Sequence, residues 1–472
     1  MSPVYDPFDM AIGATIIVVA AIASGHAVIY KREPRSATLW VFVIWILPAA
    51  GPILYLLLGV NRVERRARRM ARRKVRHRSV SQLPAGEPGT HFAPLARLVQ
   101  EVVDRPLLPG NAVEALIGGE QAFPAMLEAI GRARESVALA SYIFDAHGIG
   151  REFIDALGAA AQRGVKVRVL IDDVDDRFSF SSAVKPLRRA GVGVAVFNPP
   201  LVPARLHALN LRNHRKILVV DGHEGYTGGM NIDCRYLQPQ APAQAFRDVH
   251  FRLRGPVVAQ LMEVFAVDWH FTCEEELRGR AWFPSLEPQG AVAARAIEAG
   301  PDENLERLRW VLLGALNAAQ RSVRIATPYF LPDSALISAL GAAALRGVDV
   351  DIVLPQESDL PHVHWATFGQ LWQVLERGCH VYLRPGPFDH SKLMVVDGAW
   401  TLLGSSNWDA RSLRLNFELN VECYSVEFGA HMEGLLQARI AASRAVSLQQ
   451  VYARPFPVLL RDGIARLFVP YL

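Results

Sequence analysis

Two stretches of the chain repeat one pattern, His214-Arg-Lys216-x4-Asp221 and His390-Ser-Lys392-x4-Asp397, at an offset of 176 residues. The same offset carries Gly228 to Gly404, Asn231 to Asn407, Asp233 to Asp409 and Arg235 to Arg411. Upstream, Ser136-Val-Ala-Leu-Ala-Ser-Tyr-Ile-Phe144 runs parallel to Ser322-Val-Arg-Ile-Ala-Thr-Pro-Tyr-Phe330, and Arg163-Gly-Val165 is echoed by Arg346-Gly-Val348. Similarity at this spacing means two copies of one domain-sized unit, not a solenoid of short repeats.

Each copy alternates apolar runs with helical spacing. In the first, the spacing predicts a helix over Pro124–Arg134, a strand over Val137–Phe144, a helix from Glu152 to Arg163 ended by Gly164, and a strand over Val165–Asp172. The second repeats the order with Leu305–Gln320, Val323–Phe330, a helix to Arg346 and Val348–Leu354. Strands joined by crossover helices indicate an α/β fold of two βα-layered halves related by a pseudo-twofold axis. We place the halves at 105–283 and 284–472, with the junction at Pro284–Gly300. The C-terminal Tyr452–Leu472 interleaves Arg, Pro, Phe and Leu and suits packing on the body or contact with a bilayer.

His214–Asp221 reads as a strand ending at a turn, and on a strand side chains at i and i+2 share a face. His214 therefore projects with Lys216, and His390 with Lys392. Gly228-Gly229 and Gly404-Ser405 let the backbone approach a ligand closely and set Asn231 and Asn407 on the next segment. Two imidazoles, two ammonium groups and two amides facing one cleft suit phosphodiester chemistry. One histidine attacks phosphorus, the other protonates the leaving alcohol, and the Lys and Asn side chains hold the phosphate oxygens. Asp221 and Asp397 complete the catalytic motif in sequence, with a structural role at a strand-ending turn as the favoured reading. No metal or organic cofactor is expected: neither a Gly-rich nucleotide loop nor HExxH stands out, and Asp172-Asp173 reads as a polar strand end. Cys234, Cys273, Cys379 and Cys423 lack paired spacing and read as reduced thiols.

Hydrophobic residues make up 51% of the chain, and the N-terminus carries much of the excess. Met10–Tyr30 and Leu39–Val60 are each free of charged side chains and long enough to cross a hydrocarbon core, so residues 1–61 are expected to form a transmembrane helical hairpin. Asp6 and Asp9 in the leader argue against a cleavable signal. Pro48-Ala-Ala-Gly-Pro52 either kinks the second span or turns it into a re-entrant hairpin. Residues 62–104 read as a basic juxtamembrane segment and linker, with nine arginines, Lys74 and only Glu64 opposing them between Arg62 and Arg78. The positive-inside rule then puts the catalytic body in the cytoplasm and the short N-terminus on the same side, a multi-pass hairpin. Subtracting that +9 from the overall +5 leaves −4 for the rest of the chain, which opposes a nucleic-acid groove and favours anionic lipid at the basic run.

These motifs resemble the bacterial cardiolipin synthases of the phospholipase D superfamily. The likeness rests on the duplicated HxKxxxxD pattern and on Leu47-Pro-Ala-Ala-Gly-Pro-Ile-Leu-Tyr55, Asn213–Gly222, Gly228-Gly-Met-Asn231, Phe246-Arg-Asp248, Thr327-Pro-Tyr-Phe-Leu-Pro332, Gly404-Ser-Ser-Asn407 and Arg411-Ser-Leu413. The resemblance implies two phospholipase D-like halves in an integral protein of the bacterial cytoplasmic (inner) membrane. It also implies transfer of a phosphatidyl group from one phosphatidylglycerol to another through a phosphohistidine, with release of glycerol. It casts His214 as nucleophile, His390 as general acid and then base, and Asp248 and Glu418 as carboxylates orienting the imidazoles. Hydrolysis to phosphatidic acid and phosphatidylethanolamine as donor stay open, as does oligomeric state.

Overall fold

The computed structural model describes residues 7–31, 34–59, 90–173, 182–197, 212–237, 245–301 and 306–469. The arginine-rich run 62–78, most of the linker after it, Asp6 and the last three residues lie outside the described residues. The chain forms two units, one in the N-terminal apolar region and one from residue 90 onward.

In the N-terminal unit, helix Pro7–Tyr30 contains the 21-residue apolar stretch Met10–Tyr30, the one helix among the described residues long and apolar enough to cross a membrane. The second apolar segment is not one continuous helix: it breaks between Ile46 and Ala50, at the Pro48-Ala-Ala-Gly-Pro52 stretch. Helix Pro34–Ile46 stops, and a short helix Ala50–Leu54 runs on into a π-helical turn, Tyr55–Gly59. Pro48 and Pro52 supply no amide hydrogen to a continuing helix. Gly51 lies so close to the Ile44 backbone that a β-carbon there would collide with it. The returning segment lies back along the first: Tyr55 meets Trp40 edge-on at 5.4 Å, and Gly59 lies beside the same indole. Tyr55 also hydrogen-bonds His26 Nδ1 at 2.8 Å.

Among its described residues the second unit is organised by one large fifteen-stranded sheet and a separate two-stranded one. Its first-half strands are β1 (Leu108–Ile117), β2 (Ser136–Ser141), β3 (Lys166–Asp172), β4 (Gly193–Phe197), β5 (Ile217–Val220), β6 (Glu224–Gly228), β7 (Phe246–Arg247) and β8 (Val249–Arg254). The second half supplies β9 (Val292–Ala299), β10 (Ser322–Ala326), β11 (Asp349–Pro355), β12 (His380–Arg384), β13 (Phe388–Asp389), β14 (Leu393–Val396), β15 (Trp400–Gly404), β16 (Glu418–Tyr424) and β17 (Arg444–Val446). Among the described residues the order is β17-β12-β11-β10-β14-β15-β16-β9-β1-β8-β6-β5-β2-β3-β4. Apart from the edge strand β17, this order is a palindrome: every first-half strand in it has its counterpart at the same distance from the β1–β9 seam, while β7 and β13 pair with each other.

The seam lies within the stretch assigned to a junction. Residues 292–299 are a central strand, paired with β1 on one side and β16 on the other. The linker boundary also moves. Helix Ala93–Val103 buries Leu95, Val99 and Val103 in the second-half core, beside Leu308, Val311 and Leu312 of helix Arg307–Ala318.

The repeated sequence words have repeated structural causes. Gly164 and Gly347 both take φ of +89°, a left-handed conformation at a helix end that glycine adopts without a β-carbon penalty. Arg163 donates to the carbonyls of Ile130 and Gly131 at the end of helix Gly119–Arg132, and Arg346 does the same for Leu316 and Ala319 after helix Arg307–Ala318. Each arginine satisfies carbonyls that a helix terminus leaves without partners.

Candidate active site

Both HxK segments lie just before a strand, His214–Lys216 ahead of β5 and His390–Lys392 ahead of β14. Each is anchored by the opposite half. His214 N donates to Phe417 O at 2.9 Å, and His390 N donates to Arg247 O at 2.7 Å. The residues after those acceptors are Glu418 and Asp248, so the backbone brings each half's carboxylate to the other half's imidazole. The pairing β7–β13, Phe246 with Phe388, fixes this exchange across the seam.

The expected i, i+2 geometry holds. Lys392 Nζ lies 3.0 and 3.1 Å from the two His390 ring nitrogens, and Lys216 Nζ lies 5.4 Å from the Tyr142 ring centroid, which stacks on His214 at 3.9 Å. The residue between points the other way: Arg215 is fully buried and pairs with Asp268 at 2.6 Å. Asn231 Oδ1 accepts from Ile143 N, whereas Asn407 Oδ1 is buried without a hydrogen-bond partner among the described residues.

The two carboxylates are not equivalent. Asp248 Oδ2 is 2.9 Å from His390 Nδ1, while Glu418 Oε1 is 3.8 Å from His214 Nδ1. A single position of the repeat contributes to the difference. Ser405 Oγ donates to Glu418 Oε2 at 2.5 Å, and Asn416 Nδ2 donates to Oε1, holding Glu418 back. The counterpart of Ser405 is Gly229, where a β-carbon would collide with the Asp248 carboxylate. His390 also has Tyr236 Oη within 3.3 Å and Phe246 stacked against it at 5.9 Å.

Burial sets the protonation states. Both imidazoles are pushed well below their ordinary range, first by burial and then by the lysine of their own motif. Lys392 is lowered to about 8 by burial against the pull of Asp248, and burial likewise lowers Lys216 against Glu418. Burial raises Asp248 to about 7 and raises Glu418 as well. A carboxyl and an imidazole that exchange their usual order in this way share one proton.

The structure does not bring Asp221 or Asp397 to this cleft, which corrects their place in the catalytic set. They sit beyond the far ends of β5 and β14 with φ of 51° and 52°. Asp221 accepts from the amides of Arg134, Glu135 and Ser136; Asp397 accepts from those of Gln320, Arg321 and Ser322, and from His91. They fasten the start of β2 and β10 to the hairpin turn. Asp172, set aside as a metal ligand, is buried and accepts from Arg212 Nη1 and Asn213 N. A cluster of Asp349, Asp351 and His380 has metal-like spacing, but Arg324 already pairs with both acids. The four cysteines are free.

Sequence reasoning reached the two acids but not their crossing. It also missed the aromatic walls, Tyr142 at His214 and Tyr236, Phe246 and Phe388 at His390. Tyr142 lies inside the repeated strand word, where the second copy has Pro328, and that mismatch was the available signal.

Residues 126–269 and 312–440 match the family described as "Cardiolipin synthase, PLD-like domain", and residues 14–59 match "Phospholipase_D-nuclease N-terminal". The chain is 31% identical to the major cardiolipin synthase of Bacillus subtilis (strain 168), covering 94% of this chain and 95% of that one. It is 30% identical to the cardiolipin synthase of Geobacillus kaustophilus, over 98% and 94% respectively. Its fold is similar to the crystal structure of phosphatidylserine synthase from Haemophilus influenzae, with a TM-score of 0.63 at 16% identity, covering 80% of this chain and all of that one.

Proposed function

The chain belongs to the cardiolipin synthase family of the phospholipase D superfamily, and on that premise we propose that it joins two phosphatidylglycerol molecules into cardiolipin with release of glycerol. It is an enzyme, a phosphatidyltransferase. The observation that supports the residue roles best is the crossed and unequal pairing, Asp248 on His390 at 2.9 Å and Glu418 near His214 at 3.8 Å.

His214, neutral at rest and loosely held by its carboxylate, attacks phosphorus and forms the phosphorus–nitrogen bond. His390 gives its proton to the departing glycerol oxygen. Asp248 holds the Nδ1–H, so the proton moves at Nε2 and the imidazolium is stabilised while it exists. In the second step the terminal hydroxyl of another phosphatidylglycerol attacks phosphorus, His390 takes its proton, and the bond to His214 breaks. Lys216 and Lys392 offset the phosphate charge, and Asn231 and Asn407 donate to its oxygens. The incoming anion draws the proton that the pair shares onto His390, a charged form that burial alone disfavours.

The catalytic body sits at the cytoplasmic face of the bacterial membrane, the side to which the arginine-rich run 62–78 directs it. Helix Met10–Tyr30 is the one described helix long and apolar enough to cross the bilayer in full, and the second apolar segment packs beside it.

The test supplies detergent-solubilised enzyme with phosphatidylglycerol alone, in mixed micelles with EDTA, beside His214→Ala and His390→Ala. Cardiolipin and free glycerol from the wild type and neither from the variants is the expected result. Phosphatidic acid as sole product would make the enzyme a hydrolase, and loss of activity in EDTA would overturn the metal-free mechanism.

A further inference from the structure

The C-terminal helix Phe456–Leu467 is amphipathic with its larger apolar face turned outward. Its inner face is small: Ala465 is buried against Leu331, Val363 and Ala366, and Asp462 is buried at 1% exposure. Phe456, Leu459, Leu460, Ile464 and Leu467 recur at i, i+3, i+4, i+8 and i+11, and they are 41% to 74% exposed. A helix that turns its bulky residues to solvent and its alanine to the core is built for a second apolar phase.

We propose that this helix lies in the membrane interface and seats the catalytic body on an anionic phospholipid bilayer, an inference that rests on the site acting on phospholipids. Charge supports that occupant. At about 100° per residue, Arg461 and Arg466 border the apolar stripe on its two sides. Arg461 lies over the Trp365 ring at 4.6 Å and pairs with Asp462, and the exposed Arg466 donates Nη1 to Gly369 O at 3.3 Å, so both positive heads are held at the borders of the apolar stripe. Asp462, the sole acid of the helix, points inward to Arg454 and Arg461 and leaves the outer face without negative charge. A second copy meeting this face would set arginine against arginine; lipid phosphate meets them with opposite charge.

Position supports it too. Tyr329 packs on the cluster beneath the helix, contacts Phe388 at 6.1 Å, and Phe388 contacts His390 at 6.0 Å. The docking face thus stands one aromatic wall from the catalytic imidazole, where lipid entering from a bilayer would arrive.

The experiment uses the full chain in vesicles of equal parts phosphatidylglycerol and phosphatidylcholine. Cys234 and Cys273 are replaced by serine, and a fluorophore is placed at Leu460→Cys or, as control, at the exposed Gln437→Cys. Doxyl-labelled phosphatidylcholine is expected to quench the probe at 460 at least threefold more than the probe at 437, with iodide showing the reverse order. Equal quenching at both sites would overturn the proposal, as would shielding at 460 that depends on protein concentration and not on lipid. The double variant Leu460→Glu/Leu467→Glu adds a functional arm. Its turnover of phosphatidylglycerol in vesicles should fall at least fivefold, with turnover of monomeric short-chain phosphatidylglycerol unchanged; equal losses would contradict a docking role. The fluorescence arm needs no catalysis, so it stands or fails apart from the assigned reaction.

Discussion

Replacing Asp248 by asparagine removes the carboxylate that faces His390 Nδ1 at 2.9 Å and leaves a side chain of the same shape. Side-chain exposure is 14% for His390 and none for Asp248, so solvent screens the pair weakly. Opposite unit charges about 4 Å apart attract by about 4 kcal/mol at an effective dielectric constant near 20. Because Asp248 titrates at about 7 and is half ionised at neutral pH, the stabilisation lost from the imidazolium is roughly 2–4 kcal/mol. That corresponds to a fall in kcat of roughly 30- to 1,000-fold. Asp248 acts through His390 and is assigned no bond to the phosphate, so KM should stay within about threefold. Stability should move the other way. Burial raises the folded-state pKa of Asp248 from 3.8 to about 7, so the wild type loses stability as pH rises from 3.8 through 7, when the buried group must ionise. Asp248→Asn should therefore melt above the wild type at pH 8, and the difference should shrink as pH approaches 4. The assay is initial-rate release of glycerol in mixed micelles, with thermal melts of the same preparations. A variant that retains a third or more of wild-type kcat, or that loses activity only by unfolding, would show that Asp248 does not stabilise the imidazolium.

The remaining expectations test neighbouring parts of the account. Gly229→Ala places a methyl against the Asp248 carboxylate and should reproduce the kcat loss of Asp248→Asn, whereas Ser405→Gly, which frees Glu418 to approach His214, should cost far less. Asp221→Ala deprives three amides of their acceptor and should lower stability by about 2–4 kcal/mol in denaturant titration, with activity per folded molecule retained. The pH profile of kcat/KM should fall as pH rises through 7, where the His390–Asp248 pair loses its proton, and again through 8, where Lys392 loses its charge. Both imidazoles lie well below 6.5, so no acid limb should appear down to pH 6, and Asp248→Asn should keep only the limb near 8.

The duplicated words at one offset made the two-half α/β architecture legible, because each word has a local cause: glycines at helix ends, and aspartates that cap a strand start through its amides. The palindromic sheet order was not legible, since it depends on which edge strands meet, and β9 looked like a linker because Pro284–Gly300 is rich in small residues. His–Lys pairing could be read from the i, i+2 rule, which is local. The exchange of carboxylates between halves could not, because it is created by pairing across the seam, at His214 with Phe417 and His390 with Arg247. Apolar length suggested two spans, and the break at Pro48 was visible, but the return of Gly51 onto Ile44 is a packing event that hydropathy does not encode.

The most direct measurement is to trap the covalent intermediate. Enzyme mixed with headgroup-labelled and acyl-labelled phosphatidylglycerol is quenched within one turnover under alkaline conditions, then digested and mapped by mass spectrometry. A phosphatidyl group is expected on the peptide bearing His214, formed with one equivalent of glycerol, present in Asp248→Asn at a slower rate and absent in His214→Ala. An adduct on the His390 peptide, or cardiolipin formed in one step without any adduct, would contradict His214 as the nucleophile.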